Sequence, residues 1–192
     1  MRNYNAHDIQ DWVQGYIEDF QYLIVAHTTY RPKNKSFLGI EKALRTNSSK
    51  LEDSLKYVSR NLYENDPYLP FKNREKFGLH LFTTSEFIDP NVRDKDTMHF
   101  NVMIGNVPSS YTQEMLKEDF LHAWKKEHKQ SSNVWVYNTQ ELVDLHGGED
   151  TPTSVFNRYI LKDAYKDKTK AWKVDSTWNV QNLWLPPKSQ IS

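Results

Sequence analysis

Two short stretches of this chain carry side chains that could do chemistry together. His99-Phe100-Asn101 lies inside the apolar run Met98 to Ile104. In a strand, alternation sets His99 and Asn101 on one face and Phe100, Val102 and Ile104 on the other. Tyr159 and Lys162 are spaced i and i+3 and so share one face of a helix. An imidazole, an amide oxygen and the carboxylate of Glu86, from the strand before, suit a hard divalent ion such as Mg²⁺ or Mn²⁺. A tyrosine with a pKa of about 10 is a poor nucleophile unless a polarised phosphate and nearby positive charge assist it, and Lys162 supplies such a charge. A strand with a metal site and a helix with a tyrosine nucleophile are the parts needed to cut a nucleic-acid strand through a covalent phosphotyrosine. The plainer readings are a hydrogen-bonded strand histidine, and a packed tyrosine beside a solvated lysine.

The elements that must position these residues follow from periodicity. Ile9, Trp12, Val13, Tyr16, Ile17 and Phe20 have helical spacing, and Tyr22 to Ala26 reads as a short apolar strand. His27-Thr28-Thr29-Tyr30 and the basic run Arg31-Pro32-Lys33-Asn34-Lys35 follow. Ser49-Lys50-Leu51-Glu52 reads as a capping box that opens a helix with the core stripe Leu51, Leu55, Val58 and Leu62. Residues 67–76 read as a proline-punctuated loop, Phe77 to Phe87 as a second strand and Met98 to Ile104 as a third, the two pairing as an antiparallel hairpin. Ser110 is expected to start a helix with Gln113 in the capping-box position. Asn133 to Tyr137 reads as a fourth strand, and Thr151-Pro152 as the start of the last long helix.

This order predicts an α+β fold with a central antiparallel sheet of about five strands. Helices should pack mainly on one face, leaving the other open. On that open face stand His99 and Asn101, with Glu86 sharing a face with His80, Phe82 and Thr84. His27 and His80 lie on or near strands of the same sheet, where each could replace or supplement a ligand or serve as a structural histidine. Tyr165 repeats the Tyr-x-x-Lys spacing, but six residues from Tyr159 it lies on a different helix face.

Length and composition bound these readings. The 192 residues fit one compact domain, expected over residues 1–172, with a tail over 173–192 packed in part through Trp178 and Trp184. Lysine plus arginine equals aspartate plus glutamate at 25 each, so net charge neither argues for nor excludes a nucleic-acid partner. Six Trp, eleven Tyr and nine Phe suit a core or the stacking of unpaired bases, and only the position of each ring decides between them. The lack of cysteine excludes disulfides and thiolate metal sites. No membrane partner and no targeting segment are expected, and the chain reads as soluble and intracellular.

The combination resembles the HUH endonuclease superfamily, especially the single-tyrosine rolling-circle replication initiators (Rep proteins) of small plasmids, phages and single-stranded DNA viruses. Met98-His99-Phe100-Asn101-Val102 resembles the family's metal-binding His-hydrophobe-His strand, and Arg158-Tyr159-Ile160-Leu161-Lys162-Asp163 its Tyr-x-x-Lys helix. Tyr22 to Thr29 is similar to its first-strand motif. Asn101 stands where the family has its second histidine; some members carry glutamine there. The resemblance implies a Rep-type, RRM-like sheet and Mg²⁺ or Mn²⁺ held by Glu86, His99 and Asn101. It implies nicking and rejoining of single-stranded or origin hairpin DNA through a 5′-phosphotyrosine on Tyr159, assisted by Lys162, to start rolling-circle replication. Arg31, Lys33 and Lys35, with Lys125, Lys126 and Lys129, are candidates for DNA-backbone contacts. Host replication proteins, including a helicase in trans, are the implied partners, since no Gly-x-x-x-x-Gly-Lys-[Ser/Thr] loop is present. The compartment would be the host cytoplasm, or the nucleus of a eukaryotic host. Alternatives are a relaxase or transposase with the same chemistry, an inactive Rep-derived protein, or a non-catalytic nucleic-acid-binding domain.

Overall fold

The computed structural model describes residues 15–30, 37–86 and 98–145, without the side chains of residues 37–41 and 86. The central strand is β1, Phe20–His27. Its middle, Leu23-Ile24-Val25-Ala26, is apolar at every position, so it is driven to bury both faces, as all four residues do. A 3-10 turn, Ile17–Asp19, precedes it, so Phe20 starts the strand instead of closing the expected helical stripe.

Three further strands complete the sheet: β2, His80–Glu86; β3, His99–Gly105; and β4, Val134–Asn138. Their order is β2-β3-β1-β4 with every neighbouring pair antiparallel. About five strands were expected; four are present among the described residues.

Helix α1, Phe37–Asn61, spans 25 residues and begins well before Ser49. The expected capping box is therefore helix interior. Polar residues around it are accommodated by bonding back to the preceding turn: Asn47 Nδ2 donates to the Ala43 carbonyl at 2.8 Å and Ser54 Oγ to that of Lys50 at 2.9 Å. Leu51, Leu55 and Val58 do form its core stripe, extended upstream by Leu44 and, just past its end, by Leu62. The expected loop over 67–76 holds two single-turn helices, α2 (Leu69–Lys72) and α3 (Arg74–Phe77).

Helix α4, Gln113–Leu121, is capped by Thr112, whose hydroxyl accepts from the Met115 N–H, and not by Ser110. Gln113 is drawn elsewhere: its Nε2 donates to the Val136 carbonyl at 3.0 Å and its Oε1 accepts from Asn138 Nδ2 at 3.0 Å, tying α4 to β4. The helix continues as a π-helical stretch, His122–Glu127. After β4 comes a helix with no counterpart among the sequence expectations, α5, Thr139–Leu145. Asn138 and Glu141 cap it reciprocally, each side chain accepting the other's backbone N–H.

Helices α1 and α4 cover one face of the sheet. Ile24, Ala26, Phe100, Val102, Ile104, Val134 and Val136 meet Leu51, Leu55, Val58, Leu116, Phe120 and Trp124 there in one cluster. Each such large side chain, removed from water, contributes about 1.5–3 kcal/mol. No helix among the described residues is long and apolar enough to cross a membrane.

At the other end of β1 the ladder to β3 slips, with Phe20 opposite Gly105 and Tyr22 opposite Ile104, so Gln21 is an extra, bulged residue. Its side chain replaces the missing ladder bonds: Oε1 accepts from the Val107 N–H at 2.6 Å and Nε2 donates to the Val107 carbonyl at 3.0 Å. The bulge presses the Asp19 carbonyl onto Gly105, where a Cβ would collide with that backbone oxygen. Gly105→Ala is therefore expected to destabilise the fold by roughly 1–3 kcal/mol, as overpacking does. A urea midpoint unchanged from wild type would show that the two backbones are not in enforced contact.

Candidate functional site

The face of the sheet opposite α1 and α4 carries the candidate residues, and strand register sorts them into rows. Glu86 lies opposite His99, and His99 opposite His27, so β2, β3 and β1 each contribute one residue to a single row. Side chains directly opposite have Cβ atoms about 4.5–5.5 Å apart, close enough to act on one ligand. The His27 and His99 rings are stacked, with centroids 4.9 Å apart and planes inclined by 12°. Asn101 belongs to the next row, between Thr84 and Val25, with Trp135 beyond. The third row is Phe82, Met103, Leu23 and Tyr137.

This face was expected to be open. It is not: His99 is 6% exposed and Asn101 0%, and Leu23, Val25, Phe82, Thr84 and Met103 are buried as well. The reason lies in those apolar members. Strands β1, β2 and β3 place large hydrophobic side chains on this face too, and such a surface is stable only when removed from water. Exposure returns at the end of β1, where His27 is half-buried, and on β4, where Trp135 is 43% exposed. The Trp135 ring meets His27 edge-on, 5.3 Å between centroids.

The backbone beneath the row is tightly held. The His27 N–H donates to the Asn133 carbonyl at 3.1 Å, and its carbonyl accepts from Trp124 Nε1 at 3.0 Å. One residue on, the Thr28 N–H and hydroxyl both donate to the Met98 carbonyl, at 2.9 and 2.8 Å, locking the end of β1 to the start of β3. Buried Gln130 accepts from the Thr29 N–H at 3.1 Å and donates its own N–H to the Trp124 carbonyl. The π-helical stretch is thereby clipped onto the strand end that presents His27. A π turn inside a helix often marks a functional site.

The donor set suits a divalent ion: two imidazoles and a carboxylate position in one row, with a carboxamide in the next. His27 is the addition, standing next to His99 where the strand motif itself offers Asn101. Among the described residues no group of three or more His, Asp or Glu side chains is formed that could hold a metal ion; the described imidazoles of the row are His99 and His27. Tyr159, Lys162 and Tyr165, and the candidate DNA contacts Arg31, Lys33 and Lys35, lie outside the described residues. Lys125, Lys126 and Lys129 are exposed on and just after the π-helical stretch.

Farther along β2, burial pushes the His80 imidazole below its ordinary value, against the opposing pull of Asp19. On acidification the unfolded chain takes up this proton before the folded one does. Stability tied to His80 is thus fully present above about pH 6.5 and is lost as pH falls through the lower folded value. Thermal melts of His80→Gln are expected to show a flatter decline below that pH than wild type; parallel declines would remove His80 as the source.

Comparison with known protein families, with curated proteins and with solved structures returns no match to this chain. The site must therefore be read from its own chemistry.

Proposed function

We propose that this protein nicks and rejoins single-stranded DNA through a covalent 5′-phosphotyrosine, in the manner of a single-tyrosine HUH endonuclease that starts rolling-circle replication. The observation that carries this reading is the row Glu86–His99–His27 across three adjacent strands. Support comes also from the strand order, since a β1-helix-β2-β3-helix-β4 chain with sheet order β2-β3-β1-β4 is the arrangement expected of an RRM-like Rep sheet.

Glu86, His99 and Asn101 would hold Mg²⁺ or Mn²⁺, with His27 placed to join them. A divalent ion held there would supply positive charge to the scissile phosphate. The Tyr159 hydroxyl gives up its proton as its oxygen attacks phosphorus, and the bond to the 3′ oxygen breaks; that oxygen takes up a proton from water, giving a 5′-phosphotyrosine and a free 3′-hydroxyl. Lys162, three positions on in the sequence, favours the phenolate of Tyr159 and offsets phosphate charge. Attack by a 3′-hydroxyl reverses the step and rejoins the strand without a nucleotide cofactor.

The burial of Asn101 favours a second reading, a non-catalytic nucleic-acid-binding protein on the same fold. One experiment decides. Wild type and Tyr159→Phe are incubated with Mn²⁺ and labelled single-stranded origin oligonucleotides, and covalent adducts are resolved by denaturing electrophoresis. An adduct with wild type that is absent with Tyr159→Phe is the expected result. An adduct that survives the substitution would remove Tyr159 as the nucleophile, and no adduct across a panel of hairpin-bearing origins would favour the binding protein.

A further inference from the structure

We propose that Trp135 is a stacking platform for one unpaired base of a single nucleic-acid strand, beside half-buried His27 at the exposed edge of the candidate site. The inference rests on the reading of single-stranded DNA as the substrate.

Position separates this ring from the other aromatics. Of the exposed large apolar residues among the described ones, Tyr68, Phe71, Met115, Trp135 and Leu145, Trp135 is the one on a strand. Its row partners Val25, Asn101 and Thr84 are all buried, so the row runs from the covered interior to solvent at Trp135. Through its edge contact with His27, itself stacked on His99, the indole continues a series of three rings from the candidate site to the surface.

The platform is rigid. Val134 and Val136, on either side, are buried in the core cluster, and β4 is paired to β1 through Trp135 itself, opposite Val25. A ring fixed in this way loses little freedom on stacking, and every base offers it a flat face, so the contact tolerates sequence. From the opposite face, Trp124 bonds the His27 carbonyl and so fixes the strand end that carries the ring in edge contact with Trp135.

The test is the affinity of full-length protein for a fluorescently labelled, unstructured single strand, measured by anisotropy in EDTA so that no cleavage intervenes. Trp135→Ala is expected to weaken binding roughly tenfold or more, and Trp135→Phe to retain most of it. Phe71→Ala, which removes an equally exposed ring on α2, should leave affinity unchanged. Abasic substitution along the oligonucleotide should reveal one position where loss of the base weakens wild type but adds nothing to Trp135→Ala. Wild-type affinity in Trp135→Ala, or additive losses at every abasic position, overturns the proposal and leaves the nicking reading intact. Failure of wild type to bind any single strand overturns both.

Discussion

Replacing Trp124 by alanine is expected to cost about 3–5 kcal/mol, a large fraction of the stability of a domain this size. The indole is fully buried, stacked on Phe120 at 5.7 Å and edge-on to Phe100 at 6.2 Å, so truncation leaves a cavity among side chains that α4, β3 and the π-helical stretch hold in place. Its Nε1 also satisfies the carbonyl of His27, and truncation strands that acceptor. Trp124→Phe separates the two contributions, since it keeps most of the volume and loses the donor. Urea denaturation should rank wild type above Trp124→Phe and that above Trp124→Ala. Equal midpoints for wild type and Trp124→Phe would show that the bond to His27 adds nothing. Because that bond holds the strand end carrying His27, Trp124→Phe should also weaken Mn²⁺ binding while the protein stays folded.

The second large effect is on chemistry. His99 is the middle member of the candidate row, with Glu86 opposite on one side and His27 on the other. His99→Gln preserves much of the side-chain volume and removes the imidazole donor. Under the proposed nicking function, Mn²⁺-dependent strand cleavage should fall by roughly 100-fold or more, the scale on which losing one charge-stabilising group acts. Isothermal titration with Mn²⁺ alone should show weakened binding in parallel. Cleavage at the wild-type rate with an unchanged melting temperature would remove the row from the mechanism. The same titration on His27→Gln asks whether the second imidazole is a donor: weakening comparable to His99→Gln would assign it, and unchanged affinity would leave it as a packing partner.

Much of the architecture was legible because it is local. The alternation in Met98 to Ile104 assigns Phe100, Val102 and Ile104 to the helical side, and the spacing of Leu51, Leu55 and Val58 marks the buried stripe of α1, with Leu62 just past its end. The same local reading misplaced the start of α1, because Ser49 and Glu52 have capping-box spacing whether or not a helix already runs through them. At Asn138 and Glu141 the signature was present and real, yet it lay at the end of a strand and was passed over.

Relations across strands were another matter. His27 and His99 are 72 positions apart, and only the β1–β3 register makes them neighbours. The covered face was foreshadowed by Leu23, Val25, Phe82 and Met103, which are apolar at positions facing away from the helices. The reading of a polar open face gave weight to His99 and Asn101 and too little to these four. The exposure of Trp135 had no sequence signal, since an apolar strand residue reads alike at an edge and in the middle.

The central place of β1 has a consequence for synthesis. Among the described strands it is the first made, and both its neighbours, β3 and β4, come later, the nearer beginning at His99 and the farther at Val134. At a typical ribosomal rate of about 5–20 residues per second, the nascent chain carries Leu23-Ile24-Val25-Ala26 without either lateral neighbour for several seconds. Its unpaired amides and apolar side chains during that interval make it a segment that a chaperone would protect, and one prone to pair with another copy of itself.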